Sequence, residues 1–273
     1  MRGKALGLCD GSVPPVERTA SPGPPAPLAD LLGVLDAGVH AVQEALRQSA
    51  DLRRPGRRSG QYHLDLVADD AICEVLHRGG LDVMSEESGY TEAPATSRSS
   101  LLAVVDPVDG STNASIGIPW FATSVCVLDD EGPLLALVVN LASGTRYDAA
   151  RGGGARRDGL RIVPSACKDV RTAVVGVSGL PAGRPAWAQF RALGAAALDM
   201  CAVAEGVLDG YRVVGSSALS GWDYLGGLLV CKEAGAHVSE LDGRELVVRD
   251  ATPRRPVAAS TRPLLDQLAA AAL

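Results

Sequence analysis

The stretch Leu101-Leu102-Ala103-Val104-Val105-Asp106-Pro107-Val108-Asp109-Gly110-Ser111-Thr112-Asn113 decides how this chain is read. Its five leading apolar residues offer nothing polar to water, so they belong inside a sheet. Asp106 and Asp109 then emerge together where that strand stops. Two acids so placed repel each other unless something cationic sits between them, and a divalent metal is the usual remedy. Gly110, Ser111 and Thr112 follow at an expected helix start, where backbone N–H groups and the helix dipole favour an anion such as phosphate. Metal ligands beside an anion cradle point to phosphate-ester chemistry. Taken singly, Asp106-Pro107 and Asp109-Gly110 are equally at home in ordinary turns, because Pro sets φ and Gly tolerates φ > 0.

Two further segments strengthen the metal interpretation. Upstream, Asp82-Val83-Met84-Ser85-Glu86-Glu87-Ser88-Gly89 is a short apolar run closing on paired glutamates. Downstream, Gly221-Trp222-Asp223 opens a helix that runs to Glu233-Ala234-Gly235. Each has a plain explanation of its own: a solvated acidic loop, and a first-turn carboxylate that helps any helix. Their joint occurrence with the Asp106–Asn113 run is what carries weight.

On these residues the chain resembles the inositol monophosphatase family of magnesium-dependent phosphatases. That family's pattern is Glu-Glu, then Asp-Pro-Ile-Asp-Gly-Thr-Thr-Asn, then Trp-Asp leading a helix that ends in Glu-Ala-Gly. Here it reads Glu86-Glu87, Asp106-Pro107-Val108-Asp109-Gly110-Ser111-Thr112-Asn113, Trp222-Asp223 and Glu233-Ala234-Gly235, in the same order from about Leu28 onward. The resemblance implies two or three Mg²⁺ ions, with Mn²⁺ a possible substitute. Glu86, Asp106 and the backbone carbonyl of Val108 are expected to hold the first ion, and Asp106, Asp109 and Asp223 the second. Asp70 is expected to position the attacking water together with the hydroxyl of Ser111, which stands where the family has Thr; Asp69 competes for that role. Phosphate is expected against the N–H groups of Gly110 and Ser111, and the substrate alcohol near Gly194, Ala195 and Ala196.

The chemistry suits such a site. A phosphate monoester is anionic and repels a nucleophile, so a catalyst must neutralise charge, and two ions about 4 Å apart can do so on both attacking and leaving oxygens. All-oxygen ligands suit Mg²⁺ or Mn²⁺ rather than zinc. The rim departs from the family: where its inositol phosphatases carry a hydroxyl-binding glutamate before Trp-Asp, Val213 is the nearest match. The expected activity is hydrolysis of a small phosphorylated polyol by in-line attack of water, with inositol 1-phosphate first. Histidinol phosphate, a nucleotide 3′-phosphate, a sugar bisphosphate or a specialised-pathway intermediate are the alternatives. A catalytically silent binding or regulatory subunit is the alternative of another class.

Composition agrees with an enzyme of this kind. The 273 residues can bury a large core. A net charge of −6 argues against general attraction to nucleic acid, and no apolar run is long enough to span a membrane. Four cysteines, Cys73, Cys126, Cys201 and Cys231, lie in apolar contexts that suit buried reduced thiols and a cytoplasmic setting. The resemblance implies a homodimer. Arg53, Arg54, Arg57 and Arg58 form the one basic cluster, from which Arg57 or Arg58 can reach toward the site mouth.

Three regions are expected: a disordered Pro/Gly-rich tail over 1–27, an N-terminal α+β lobe with the metal motifs over 28–165, and a C-terminal α/β lobe over 166–273. Apolar residues from Leu28 to Leu46 follow helical spacing, and a second helix carries Asp70 and Glu74. Asp129-Asp130-Glu131-Gly132 joins two strands as a hairpin, and Gly152-Gly153-Gly154 reads as a turn. Helices are expected over 186–193 and 194–205. Alternating elements give an α/β class, and the resemblance implies a layered α-β-α-β-α sandwich.

Overall fold

The computed structural model describes residues 26–49, 53–58, 61–183 and 185–271. The tail expected over 1–27 lies outside them apart from Ala26 and Pro27, with which the first helix opens.

An eight-stranded sheet forms from β1 (Asp82–Ser85), β2 (Gly89–Thr91), β3 (Leu102–Asp109), β4 (Ala122–Asp129), β5 (Gly132–Asn140), β6 (Arg146–Ala150), β7 (Gly154–Arg157) and β8 (Leu160–Arg161), in spatial order β2-β1-β3-β4-β5-β6-β7-β8. β3 pairs in parallel with β1 and antiparallel with β4. Its unbroken apolar run is explained by burial on both faces: Leu102 and Val104 point into one core, Ala103 and Val105 into the other. The strand does not stop at Asp106; it continues to Asp109 with its register to β4 broken between the two acids. That irregularity delivers both carboxylates to the same end of the strand.

Helices α1 (Ala26–Gln48) and α2 (His63–Arg78) cover the face of this sheet that carries Ala103 and Val105. The opposite face packs on α4 (Ala196–Ala204) and α5 (Gly221–Ala234). α5 is enclosed on nearly every side, so its apolar residues show little periodicity. Gly226 and Gly227 allow the close fit, since a Cβ there would come within 2.6 Å of the Ser124 hydroxyl and 2.7 Å of the Met200 Cβ respectively.

The far side of α4 and α5 meets a second sheet of β9 (Val174–Ser178), β10 (Gln189–Arg191), β11 (Gly210–Val213), β12 (His237–Glu240) and β13 (Pro256–Ala259), in order β10-β9-β11-β13-β12. α6 (Arg262–Ala270) closes its outer face over Val175, Val177, Val257 and Ala259. The layers therefore run α-β-α-β-α, as the sequence led us to expect. A short helix, α3 (Ser111–Ile116), follows β3 directly.

Two local expectations need correction. Residues 186–193 form no helix: they contain the exposed edge strand β10, paired in parallel with β9. Pro185 and the exposure of Gln189, Phe190 and Arg191 leave that segment without the buried stripe a helix requires. The notion of a turn at Arg156-Arg157-Asp158-Gly159, which its Asp-Gly pair invites, holds only for Asp158-Gly159, since Arg156 and Arg157 lie in β7. The hairpin at 129–132 and the 152–154 turn form as expected, and the Glu233 carboxylate accepts the backbone N–H groups of Gly152 and Gly154, both at 2.9 Å.

Candidate metal centre and active site

Three separate elements deliver acids to one crevice. Glu86 follows β1 and is fixed by its N–H donating to the Val105 carbonyl at 3.2 Å. Asp106 lies in β3, and Asp223 occupies the first turn of α5, where it also accepts the Ser220 N–H at 2.7 Å. One carboxylate oxygen from each of Glu86, Asp106 and Asp223 lies within 4.8 Å of the other two. Asp106 is 2 % exposed and accepts the Val108 N–H at 3.0 Å. Asp109, also buried, accepts N–H groups from Ala196 at 3.2 Å and Ala197 at 2.7 Å, at the start of α4.

Crowding of like charge is visible in the acidities. Partial desolvation of the carboxylate, followed by the charges of Asp223, Glu87 and Asp65, raises Glu86 to about 7, although the residue as a whole is exposed to solvent. Burial holds Asp106 well above the carboxylate range, reinforced by Glu86, Asp109 and Asp223. Burial and the charge of Asp223 do the same to Asp109, against the opposing pull of the Ala197 and Ala196 N–H groups. Asp223 is raised to about 6 by burial. Carboxylates that cling to protons because they are buried, and buried beside one another, suit a multivalent cation, and an all-oxygen donor set suits a hard one. The residues therefore fit Mg²⁺ or Mn²⁺.

Asp70 and Asp69, the two acids expected to compete for positioning water, lie apart from the cluster. Asp70 is exposed and does not join the cluster. Asp69 is buried, but it is occupied by the hydroxyl of Ser85 and by the Cys73 thiol at 3.5 Å. Asp65 is the acid of α2 that faces the site: the Ser111 hydroxyl is near enough to favour its carboxylate, Glu87 opposes it by charge, and it accepts the Tyr62 N–H at 2.7 Å. Burial raises it to about 6. Helix geometry explains the difference, since five residues turn about 140° past a full revolution, while four turn only about 40°. Leu64, Ala68, Ile72 and Leu76 define the buried stripe beside Asp65, and Asp70 lies with exposed Glu74 on another face. That stripe was the available signal.

Glu87, the second member of the pair, turns away from the acids and toward cations and amides. It pairs with Arg58 at 2.5 Å and also accepts from Gln61. Of Arg57 and Arg58, Arg58 is the one that pairs with Glu87, beside Glu86, while Arg53 donates to the Ser115 carbonyl of α3. Gly110 caps α3 with φ of 86°, and a Cβ there would lie 2.9 Å from the Gly194 carbonyl and 3.1 Å from that of Trp120. Positive φ and close approach together leave room for glycine alone.

Beside Asp109 and Asp223 lies a cavity of about 250 Å³ whose other walls are Val177, Ser178, Gly179, Ala192, Gly194, Ala196 and Leu219. Gly194 and Ala196, expected near the substrate alcohol, line it; Ala195 instead packs toward Gly110. Val213 is not in its wall but fully buried in the core between the sheets. One group went unanticipated. Asp199 of α4 is fully buried, accepts the Trp120 indole N–H at 2.9 Å, and has no partner for its other oxygen among the described residues. Burial raises it to about 8.

Comparison with known proteins agrees with this geometry. The sequence profile of the inositol monophosphatase family matches residues 37–273. The chain is 32 % identical over 249 residues to "Phosphatase IMPL1, chloroplastic" of Arabidopsis thaliana, covering 81 % of this chain and 65 % of that protein, so it spans just under two thirds of that relative's length. It is 36 % identical over 218 residues to an "Inositol-1-monophosphatase" of Mesorhizobium japonicum, covering 73 % and 78 % of the two chains. A "Nus factor SuhB" of Pasteurella multocida is 29 % identical over 223 residues, covering 75 % and 81 %. Among solved structures, a hypothetical protein of Pyrococcus horikoshii with similarities to inositol-1 monophosphatase superposes with a TM-score of 0.75 at 25 % identity, covering 91 % of this chain and 98 % of that one.

Proposed function

The chain belongs to the inositol monophosphatase family, a family of phosphomonoester hydrolases, and on that premise we propose that it releases inorganic phosphate from a small phosphorylated alcohol with the help of divalent metal. The convergence of Glu86, Asp106 and Asp223 within 4.8 Å, drawn from three distant parts of the chain, supports this most strongly. Glu86, Asp106, Asp109 and Asp223, with the Val108 carbonyl, are the groups that would hold Mg²⁺ or Mn²⁺, two or three ions in all. Such ions, when bound, supply charge neutralisation for phosphate and make water more acidic.

The chain's own groups do the rest. Asp65 takes the role first expected of Asp70: with the Ser111 hydroxyl it orients a water and accepts its proton at the carboxylate. The N–H groups of Gly110 and Ser111, in a first helical turn that cannot satisfy them internally, face the phosphate oxygens. Asp109 ties β3 to the start of α4, so the acids and the alcohol-side cavity keep a fixed spacing. Inositol 1-phosphate is the first substrate to assay, since relatives carry that name. A cytoplasmic homodimer is the assembly we propose; the four free buried thiols suit a reducing compartment. No helix among the described residues is long and apolar enough to cross a membrane.

A malachite-green assay across inositol, histidinol, nucleotide and sugar phosphates with and without Mg²⁺ tests the proposal. Metal-dependent release that Asp106→Asn lowers at least about 100-fold, with folding intact, is the expected result. Full turnover by Asp106→Asn, or no release from any ester, counts against it.

A further inference from the structure

The cavity beside Asp109 and Asp223 is unusually poor in groups that could recognise a polyol. Beyond those two acids the described residues that bring an apolar side chain to it are Ala192, Ala196 and Leu219, beside Gly179 and Gly194; Val177 borders it while its side chain packs under α6. Among the described lining residues Ser178 supplies the one hydroxyl, which already shares a hydrogen bond of 2.7 Å with the fully buried Tyr211 phenol. Among the described residues no side-chain amide, imidazole, guanidinium or further carboxylate lines the space. Leu180, the residue after Gly179, is 85 % exposed.

An alcohol carrying many hydroxyls would leave most of them dehydrated and unpaired against such walls, and a buried polar group without a partner is costly. A hydrocarbon-rich alcohol loses nothing on entering and gains by removing the walls from water. An apolar pocket rejects an added hydroxyl only moderately, by about 10²-fold at most for one group, so the preference reads as a ratio of affinities rather than as exclusion.

We propose that the alcohol half of the substrate is largely hydrocarbon, with at most one further hydroxyl, seated against Ala192, Ala196 and Leu219 and met by Ser178. This rests on the phosphomonoesterase assignment and narrows it: the preferred ester is the phosphate of a sparsely hydroxylated alcohol rather than of a polyol.

Cyclohexyl phosphate and inositol 1-phosphate form a matched pair, with the same ring size and the phosphate on a ring carbon but differing by five hydroxyls. Their inhibition constants against Mg²⁺-dependent turnover of p-nitrophenyl phosphate by the full chain read binding free of leaving-group acidity. The expected result is binding of cyclohexyl phosphate at least tenfold tighter than inositol 1-phosphate, with Leu219→Ser narrowing that ratio at least threefold. Turnover with inositol 1-phosphate bound equally well or better overturns the specificity alone. Absence of metal-dependent release from all three esters removes the hydrolase assignment and this inference with it. The wild-type ratio decides the matter even where Leu219→Ser fails to fold.

Discussion

The carboxylate of Asp109 accepts the backbone N–H of Ala197 at 2.7 Å, joining the end of β3 to the first turn of α4 across 88 positions of sequence. With the companion bond from Ala196 it satisfies two donors that the helix cannot satisfy itself. Asp109→Ala is therefore expected to destabilise the metal-free protein by about 1–2 kcal/mol, the usual cost of deleting such a cap. Urea unfolding in the presence of a chelator measures it, and an unchanged midpoint would show that α4 starts independently of Asp109.

Asp65 and Asp70 are separated by only five residues, yet one is buried near Ser111 and the other faces solvent. Asp65→Asn is expected to lower kcat by about 10²–10⁴-fold, the range of a positioned general base. Asp70→Asn, on the solvated face, should stay within about twofold of wild type, as most surface substitutions do. Steady-state kinetics on the two variants separates them, and equal losses would contradict the assignment.

Metal binding should depend on pH. Glu86 at about 7 and Asp223 at about 6, with Asp106 and Asp109 raised too, hold protons in the metal-free site that an incoming cation must displace. Apparent Mg²⁺ affinity should rise from pH 6 to pH 8, by about tenfold per unit for each displaced proton. The metal-free protein loses stability over the same range as its crowded acids ionise, so the gain in Tm on adding Mg²⁺ is also larger at pH 8. Titration calorimetry in buffers of different ionisation enthalpy counts the protons; none released would refute the scheme.

Asp199 provides a second pH signature away from the metals. Its folded value of about 8 lies above that of an unfolded aspartate, so between about 4 and 8 the folded state holds a proton that the unfolded state has lost. Stability from this group is thus lost as pH rises through that window. Asp199→Asn keeps an acceptor for the Trp120 indole and cannot ionise, so its Tm should fall less than wild type between pH 5 and 8. Parallel profiles would mean that Asp199 is already ionised in the fold.

Much of this was legible in the residues. The Leu101–Asn113 run announced a strand buried on both faces and two acids at its end, because burial and charge leave marks on short local patterns. That Asp65 faces the site went unread because the expectation of Asp70, or of Asp69, followed spacing to a family motif, whereas position beside the Leu64–Leu76 stripe is a matter of helical angle. The edge strand at 189–191 could not be read at all: its pairing with β9 is set by a distant segment, and Gln189, Phe190 and Arg191 show no alternation of burial. Asp199 was invisible for a related reason, since only tertiary packing buries it against Trp120.

The division of labour between the two sheets has an evolutionary consequence. Glu86, Asp106 and Asp109 come with the eight-stranded sheet, whereas Val177, Ser178 and Ala192 come with the five-stranded one. A lineage can accumulate mutations in the latter and acquire a new leaving group while inheriting the hydrolytic half untouched. Divergence of diet among such proteins then requires only a handful of codons at one wall.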